Sequence, residues 1–167
     1  MKKIVQTCVI ILFASATVVM NGCKKEGPAG PPGNANVTAR TFSATSWSWS
    51  SPYYYANFSV PELTSANAGS AAVMVYFHTT SNSWLALPYS QYNSPYNYYM
   101  GFSSAAGLVQ VTWVYDYSLS SGDDPNTYYG SNVQYKVVII PPAERKANPD
   151  LDLTDYNAVK EAYHLED

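Results

Sequence analysis

The chain has 167 residues, 13% of them charged and 15% aromatic, with nine basic and twelve acidic residues and a formal charge of -3. Its basic residues are scattered rather than clustered, which sets nucleic acid aside as a partner. Low charge and many rings argue for a packed fold over a disordered chain, although aliphatic residues are few.

Lys2 and Lys3 form a short positive start, and Ile4 to Gly22 carries no charge, with its most apolar part at Cys8 to Ala14. This is a secretory signal in outline. Three endings fit it. The chain can be cut just before Cys23 and acylated there, or cut after Ala14-Ser15-Ala16. Left uncut, its run of about 20 uncharged residues just spans a bilayer. Gln6, Thr7, Ser15, Thr17 and Asn21 argue against the uncut span. Met20-Asn21-Gly22-Cys23 resembles the lipobox of bacterial lipoproteins, in which small residues precede an invariant cysteine, with Met20 where leucine is usual. That resemblance implies that residues 1–22 are removed and that Cys23 is the lipidation site, bearing three acyl chains. Anchoring would then be stable, at about 0.8 kcal/mol per buried CH2. Cysteine usage agrees with this reading. Only Cys8 and Cys23 exist, and once Cys8 leaves with the signal, an exported chain would otherwise carry one unpaired thiol in an oxidising compartment. No disulfide is then available, so packing alone must hold the domain.

Lys24, Lys25 and Glu26 lead into Gly27, Gly30 and Gly33, which mark the triplets Gly-Pro-Ala, Gly-Pro-Pro and Gly-Asn-Ala. Residues 23–36 thus resemble the spacer of a group of Gram-negative outer-membrane lipoproteins in which a collagen-like tract joins the lipidated cysteine to a β-rich domain of unknown function. Collagen needs glycine at every third place because only glycine fits the triple-helix axis. So short a tract reads as a polyproline II spacer of a monomer, with a trimer through Gly27 to Gly33 as the alternative. The resemblance implies attachment to the outer membrane, facing either the cell surface or the periplasm.

Residues 37–167 make a comfortable single domain. With Lys2 and Lys3 gone with the signal, seven of the nine basic residues remain against twelve acidic ones, a formal charge of -5. From Val37 onward 21 aliphatic residues (11 Val, 8 Leu, 2 Ile) face 24 aromatic ones (16 Tyr, 4 Trp, 4 Phe). Rings must therefore supply much of the buried area, and a tyrosine here is core by default.

The periodicity is that of strands. Val37 to Ser43 opens the domain, and Ser46 to Ser50 alternates Trp47 and Trp49 with serines, placing both indoles on one face. Tyr53 to Val60 follows Pro52 and stops at Pro61. Ala71 to Thr79 is apolar on both sides and so reads as a central strand. Trp84 to Leu87 and Tyr96 to Phe102 are shorter candidates. Leu108 to Tyr117 puts Val109, Val111, Trp113, Tyr115 and Tyr117 on one face, with Gln110, Thr112 and Asp116 on the other. Val133 to Ile140 is the last strand, ended by Pro141 and Pro142. A loop is expected over Ala143 to Asp150. A helix then follows over about 154–164, with Asp150, Asp152 and Asp155 at its positive end and Tyr156, Val159 and Tyr163 as one apolar stripe. Together these predict a mainly β, sandwich-like antiparallel domain with one C-terminal α-helix. The ending from Val137 to Leu165 is similar to the close of other members of the lipoprotein group.

Catalytic chemistry is hard to assemble from this inventory. His78 reads as a partly buried strand residue and His164 as a helix C-terminal charge; a histidine zinc site needs more ligands at closer spacing. No nucleophile or phosphate-loop motif occurs, and no catalytic residue, metal ligand or cofactor is assigned. Glu62, Asp116, Asp123 and Asp124 are the carboxylates that a glycoside-active enzyme would draw on. Ser121 to Asn126 offers oxygens to a cation but lacks a full alternating-acid loop, and its Gly, Asp, Pro and Asn suit a turn.

The most suggestive surface is aromatic. Tyr89 to Phe102 and Ser46 to Tyr55 mix rings with Ser, Asn and Gly, the composition of binding surfaces, where rigid amphipathic rings sit beside adaptable hydrogen-bonding groups. Trp47, Trp49, Tyr92, Tyr96, Tyr98 and Tyr99 are the candidate ligand-binding residues, for a glycan, a peptide or a neighbouring envelope protein. The competing reading is a structural coat or spacer protein with no small ligand, in which those rings are core.

Overall fold

A computed structural model describes residues 37–78, 83–93, 96–115, 125–129 and 133–166. The export segment, Cys23 and the Gly-Pro spacer lie outside these residues, as do Asp116 and Tyr117. Nine strands form two antiparallel sheets: β1 (Thr38–Ser43), β2 (Ser48–Ser50), β3 (Tyr53–Val60), β4 (Ala72–His78), β5 (Trp84–Ala86), β6 (Tyr89–Asn93), β7 (Tyr96–Ala105), β8 (Gly107–Tyr115) and β9 (Gln134–Ile140). One sheet has the order β1-β9-β4-β5 and the other β2-β3-β8-β7-β6, so the chain changes sheet after β1, β3, β5 and β8. Helices α1 (Pro125–Tyr129), α2 (Pro142–Ala147) and α3 (Tyr156–Tyr163) complete it.

The four-stranded sheet is the middle layer. On β9, Tyr135, Val137 and Ile139 point into the space between the sheets, while Val138 and Ile140 pack with Tyr156, Val159 and Tyr163 of α3. β4 divides in the same way, with Val75 and Phe77 on one side and Tyr76 on the other. Both strands read as apolar on both faces because each face is covered, by a sheet or by a helix. On β8 burial alternates, with Val109, Val111, Trp113 and Tyr115 inward, because among the described residues only one face of the five-stranded sheet is packed.

Rings carry the inter-sheet core. A continuous path of contacts runs Phe42, Phe58, Tyr135, Trp47, Trp113, Tyr98, Tyr89 and Phe77, with neighbouring centroids 4.5–6.2 Å apart. Each such pair contributes about 0.5–1.5 kcal/mol beyond the area it buries. Two of the buried phenol oxygens have partners here. The Tyr98 hydroxyl donates to Gln91 Oε1 at 2.6 Å, and the Tyr135 hydroxyl approaches Met100 Sδ at 3.9 Å.

The hairpin between β7 and β8 turns at Ala106-Gly107, where Ala105 pairs Leu108 and Gly107 adopts φ +76°. A residue with a Cβ is strained there. The Gly107 amide also donates to Leu63 O, fixing the long connection between β3 and β4 against this turn. In that connection Asn67 Oδ1 accepts from Thr64 N while its Nδ2 donates to Glu62 O.

Helix α3 begins at Tyr156, with Asp155 as its N-cap accepting from the Asn157 and Ala158 amides. It ends at His164, which takes a left-handed conformation (φ 51°) while the Leu165 amide donates to Lys160 O at 3.0 Å. Two features differ from expectation. Residues 142–147 form a helix rather than a loop, since Pro142 fits the first turn, Glu144 sits near the N-terminus and Arg145 and Lys146 near the C-terminus. Tyr89–Asn93, within the aromatic stretch, is a separate strand paired along its length with β7.

Candidate functional site

Trp47 and Trp49 are half-buried against the inter-sheet core, and Tyr98 is buried in it. Trp47 meets Trp113 and Tyr135 edge-on at 6.0 and 6.2 Å and donates its indole N–H to Asn126 Oδ1 at 3.3 Å, so it closes one end of the core. Trp49 packs on Tyr54 at 4.7 Å, and Tyr98 is buried under Trp113 at 4.5 Å. With aliphatic side chains scarce, the core recruits these rings. The side chain of Tyr96 lies outside the described set.

Tyr92 and Tyr99 do face outward. Tyr92 is 77% exposed and Tyr99 46%, the two most exposed large rings among the described residues. Both stand on the outer face of the five-stranded sheet, away from the inter-sheet core, because they alternate with the inward residues Gln91, Tyr98 and Met100. Ser90 pairs Tyr99 and Tyr92 pairs Asn97, so the two rings are diagonal neighbours on adjacent strands. A hollow of about 250 Å³ lies here, lined by Tyr92, Asn97, Tyr98, Tyr99, Val114 and Tyr115.

The same face continues across β8 onto β3. Tyr55 pairs Thr112, and Thr112 pairs Gly101. A β carbon at Gly101 would stand 3.0–3.3 Å from the far end of the Tyr99 ring, so that ring leans along its own strand over the glycine. Tyr53 and Tyr55, half-buried and edge-on to each other at 6.3 Å, extend the aromatic surface. Gln110 Nε2 donates to Asn57 Oδ1 at 3.0 Å and orders the amides between them. The alternation of β3 in the sequence marks Tyr53 and Tyr55 as outward once Tyr54 is placed in the core.

A larger hollow, about 530 Å³, lies at β1 and the end of α3, lined by Val37, Ala39, Thr41, Lys136, His164, Leu165 and Glu166. Its most unusual member is Lys136, 2% exposed, whose ammonium donates to the Tyr156 hydroxyl at 2.8 Å and lies 4.6 and 4.7 Å from the Trp84 and Tyr156 ring centres. A cation so enclosed by a hydroxyl and two ring faces ties β9 to β5 and α3, which is a structural role. Nearby, the Tyr76 hydroxyl donates to Leu153 O at 2.6 Å, and burial, then the neighbouring Tyr156, Asp152 and Asp155, push its pKa well up.

Among the described residues no group of three or more His, Cys, Asp or Glu side chains is placed to hold a metal ion. His78 packs against Trp84 at 5.1 Å at the end of β4, and His164 caps α3. Glu62 is bound by Arg40 at 2.5 Å. Asp116, Asp123 and Asp124 lie outside the described residues, as does Ser121 to Asp124 of the turn. Comparison with family models, curated proteins and solved structures returned no match.

Proposed function

We propose that the chain is an envelope lipoprotein, anchored in the outer membrane through acylated Cys23, whose β-sandwich is a non-catalytic binding module. The observation that carries the binding role is the outward placement of Tyr92 and Tyr99 beside a hollow of about 250 Å³. In a domain whose core is short of aliphatic side chains, leaving Tyr92 mostly in water forgoes on the order of 1–2 kcal/mol, and the half-exposed Tyr99 less. Such rings next to Ser, Asn and Thr side chains suit recognition of a glycan, a peptide or an envelope protein. The anchor rests on the lipobox-like Met20-Asn21-Gly22-Cys23 and the Gly-Pro spacer after it.

The test is a binding screen of the full chain in detergent against glycans and envelope extracts, repeated with Tyr92→Ala and Tyr99→Ala. Loss of a detected ligand in both variants supports the module; a ligand that stays fully bound to both removes this face from the account. Mass measurement of the native N-terminus tests the anchor separately, a triacylated Cys23 being the expected result.

A further inference from the structure

Strands β2, β3, β6, β7 and β8 contain no Asp, Glu, Lys, Arg or His. The other sheet does carry ionisable side chains, Arg40 on β1, His78 on β4 and Lys136 on β9. The outer strand face of the five-stranded sheet thus carries hydroxyls, amides and phenol rings (Tyr53, Tyr55, Asn57, Ser90, Tyr92, Asn97, Tyr99, Gln110 and Thr112) beside the aliphatic Leu108 and Val114, with no acidic or basic side chain on its strands. A charged polymer laid here would lose hydration and meet no opposing charge on the strands. A peptide added as an extra strand would pair along the β6 edge, outside β7, β8 and β3, which are interior strands already paired on both sides, so it would leave Tyr99, Thr112 and Tyr55 uncovered.

The arrangement of the rings narrows the ligand further. Tyr92 and Tyr99 are diagonal across β6 and β7, a separation of roughly 7–8 Å, and the Tyr99 ring leans into the row Gly101, Thr112, Tyr55. Strands stand about 4.8 Å apart, so the rings are spread over the width of several strands rather than gathered round one point. Building on the binding-module reading, we propose that this face takes a run of several units of a neutral polysaccharide, laid across β6, β7, β8 and β3. Tyr92, Tyr99 and Tyr55 stack on the C–H faces of successive sugars, and Asn57, Ser90, Asn97 and Thr112 exchange hydrogen bonds with their hydroxyls. With no ion pair in the contact, binding is insensitive to salt.

Affinity electrophoresis of the full chain in detergent tests this, using soluble glucan, mannan and xylan as neutral probes, alginate and polygalacturonate as anionic probes, and a peptide library. The expected result is retardation by a neutral polymer, unchanged at raised salt, stronger for longer oligosaccharides than for the disaccharide. It should weaken about tenfold, the size of one lost ring stack, in Tyr92→Ala or Tyr99→Ala. Binding only to anionic polymers or to peptides, lost in the same two variants, overturns the neutral-polysaccharide ligand and leaves the binding module standing. Binding to none of the probes, or binding that both variants retain in full while their thermal unfolding is normal, overturns the proposal, and retention by both variants overturns the module as well.

Discussion

The Tyr99 ring leans along β7 over Gly101, where a β carbon would stand 3.0 Å from Cε1 and 3.1 Å from the phenol oxygen. Glycine is ordinarily a weak strand residue, and a neighbouring ring covering it compensates for the missing side chain. Gly101→Ala pushes on the far end of a partly exposed side chain, so the fold should survive with a stability change of about 0.5 kcal/mol or less. The Tyr99 ring, however, must lift. Aromatic chemical shifts of Tyr99 should change in Gly101→Ala while those of Tyr54 and Tyr135 stay put, and Gly101→Val should enlarge the effect.

Trp113 sits at the junction of the aromatic path, 1% exposed, stacked on Tyr98 and touched by Trp47 and Tyr115. Trp113→Ala should destabilise by about 3–5 kcal/mol, a large part of what a domain of this size has. Urea unfolding measures it. Trp113→Phe, which keeps a ring, should lose distinctly less.

Asp155 caps α3, and its loss unties two amide donors at the start of the longest helix among the described residues. Asp155→Ala should lower stability by about 1 kcal/mol, and hydrogen exchange should quicken first at Asn157 and Ala158. The tie between α3 and the sheet through Tyr156 and Val159 remains, so the helix frays without detaching.

Tyr76 links stability to alkaline pH. Its folded pKa lies well above the unfolded value of about 10, chiefly because its ring is buried. A raised pKa means that the stabilisation is complete below the unfolded value and is lost as pH climbs above it. Stability should therefore fall above about pH 10, and Tyr76→Phe should flatten that fall. At neutral pH the same variant costs about 1 kcal/mol through the lost hydrogen bond to Leu153 O. At the acid end the sign reverses. Asp152, whose pKa is lowered by hydrogen bonds from Thr154, stabilises above its unfolded pKa, and that share goes as pH drops through the folded value. Chemical denaturation across pH checks both limbs.

Much of this fold was legible in the sequence because burial writes itself as period. The alternation of Leu108 to Tyr117 and the double-sided apolar run of β4 gave strands within a residue or two, and Tyr156, Val159 and Tyr163 gave the helix stripe. Tyr89–Asn93 hid because its inward partner is Gln91, which serves the Tyr98 hydroxyl, so polar and apolar positions did not alternate. The site was half legible for a related reason. Where rings build the core, composition does not separate a buried tyrosine from an exposed one, and only pairing register distinguishes Tyr98 from Tyr99. Trp47 and Trp49 stand out as large rings among serines, yet Ser48 and Ser50 of β2 face solvent while Trp49, and Trp47 just before the strand, pack against the core.

The account turns on one surface, and amide chemical-shift mapping of the labelled full chain in detergent, titrated with the neutral polysaccharide that retards it, addresses that surface directly. The predicted result is a contiguous set of perturbed amides at Ser90, Tyr92, Asn97, Tyr99, Thr112 and Tyr55. Perturbations confined to the hollow around Lys136, His164 and Glu166, or scattered with no focus on β6 to β8, would contradict it.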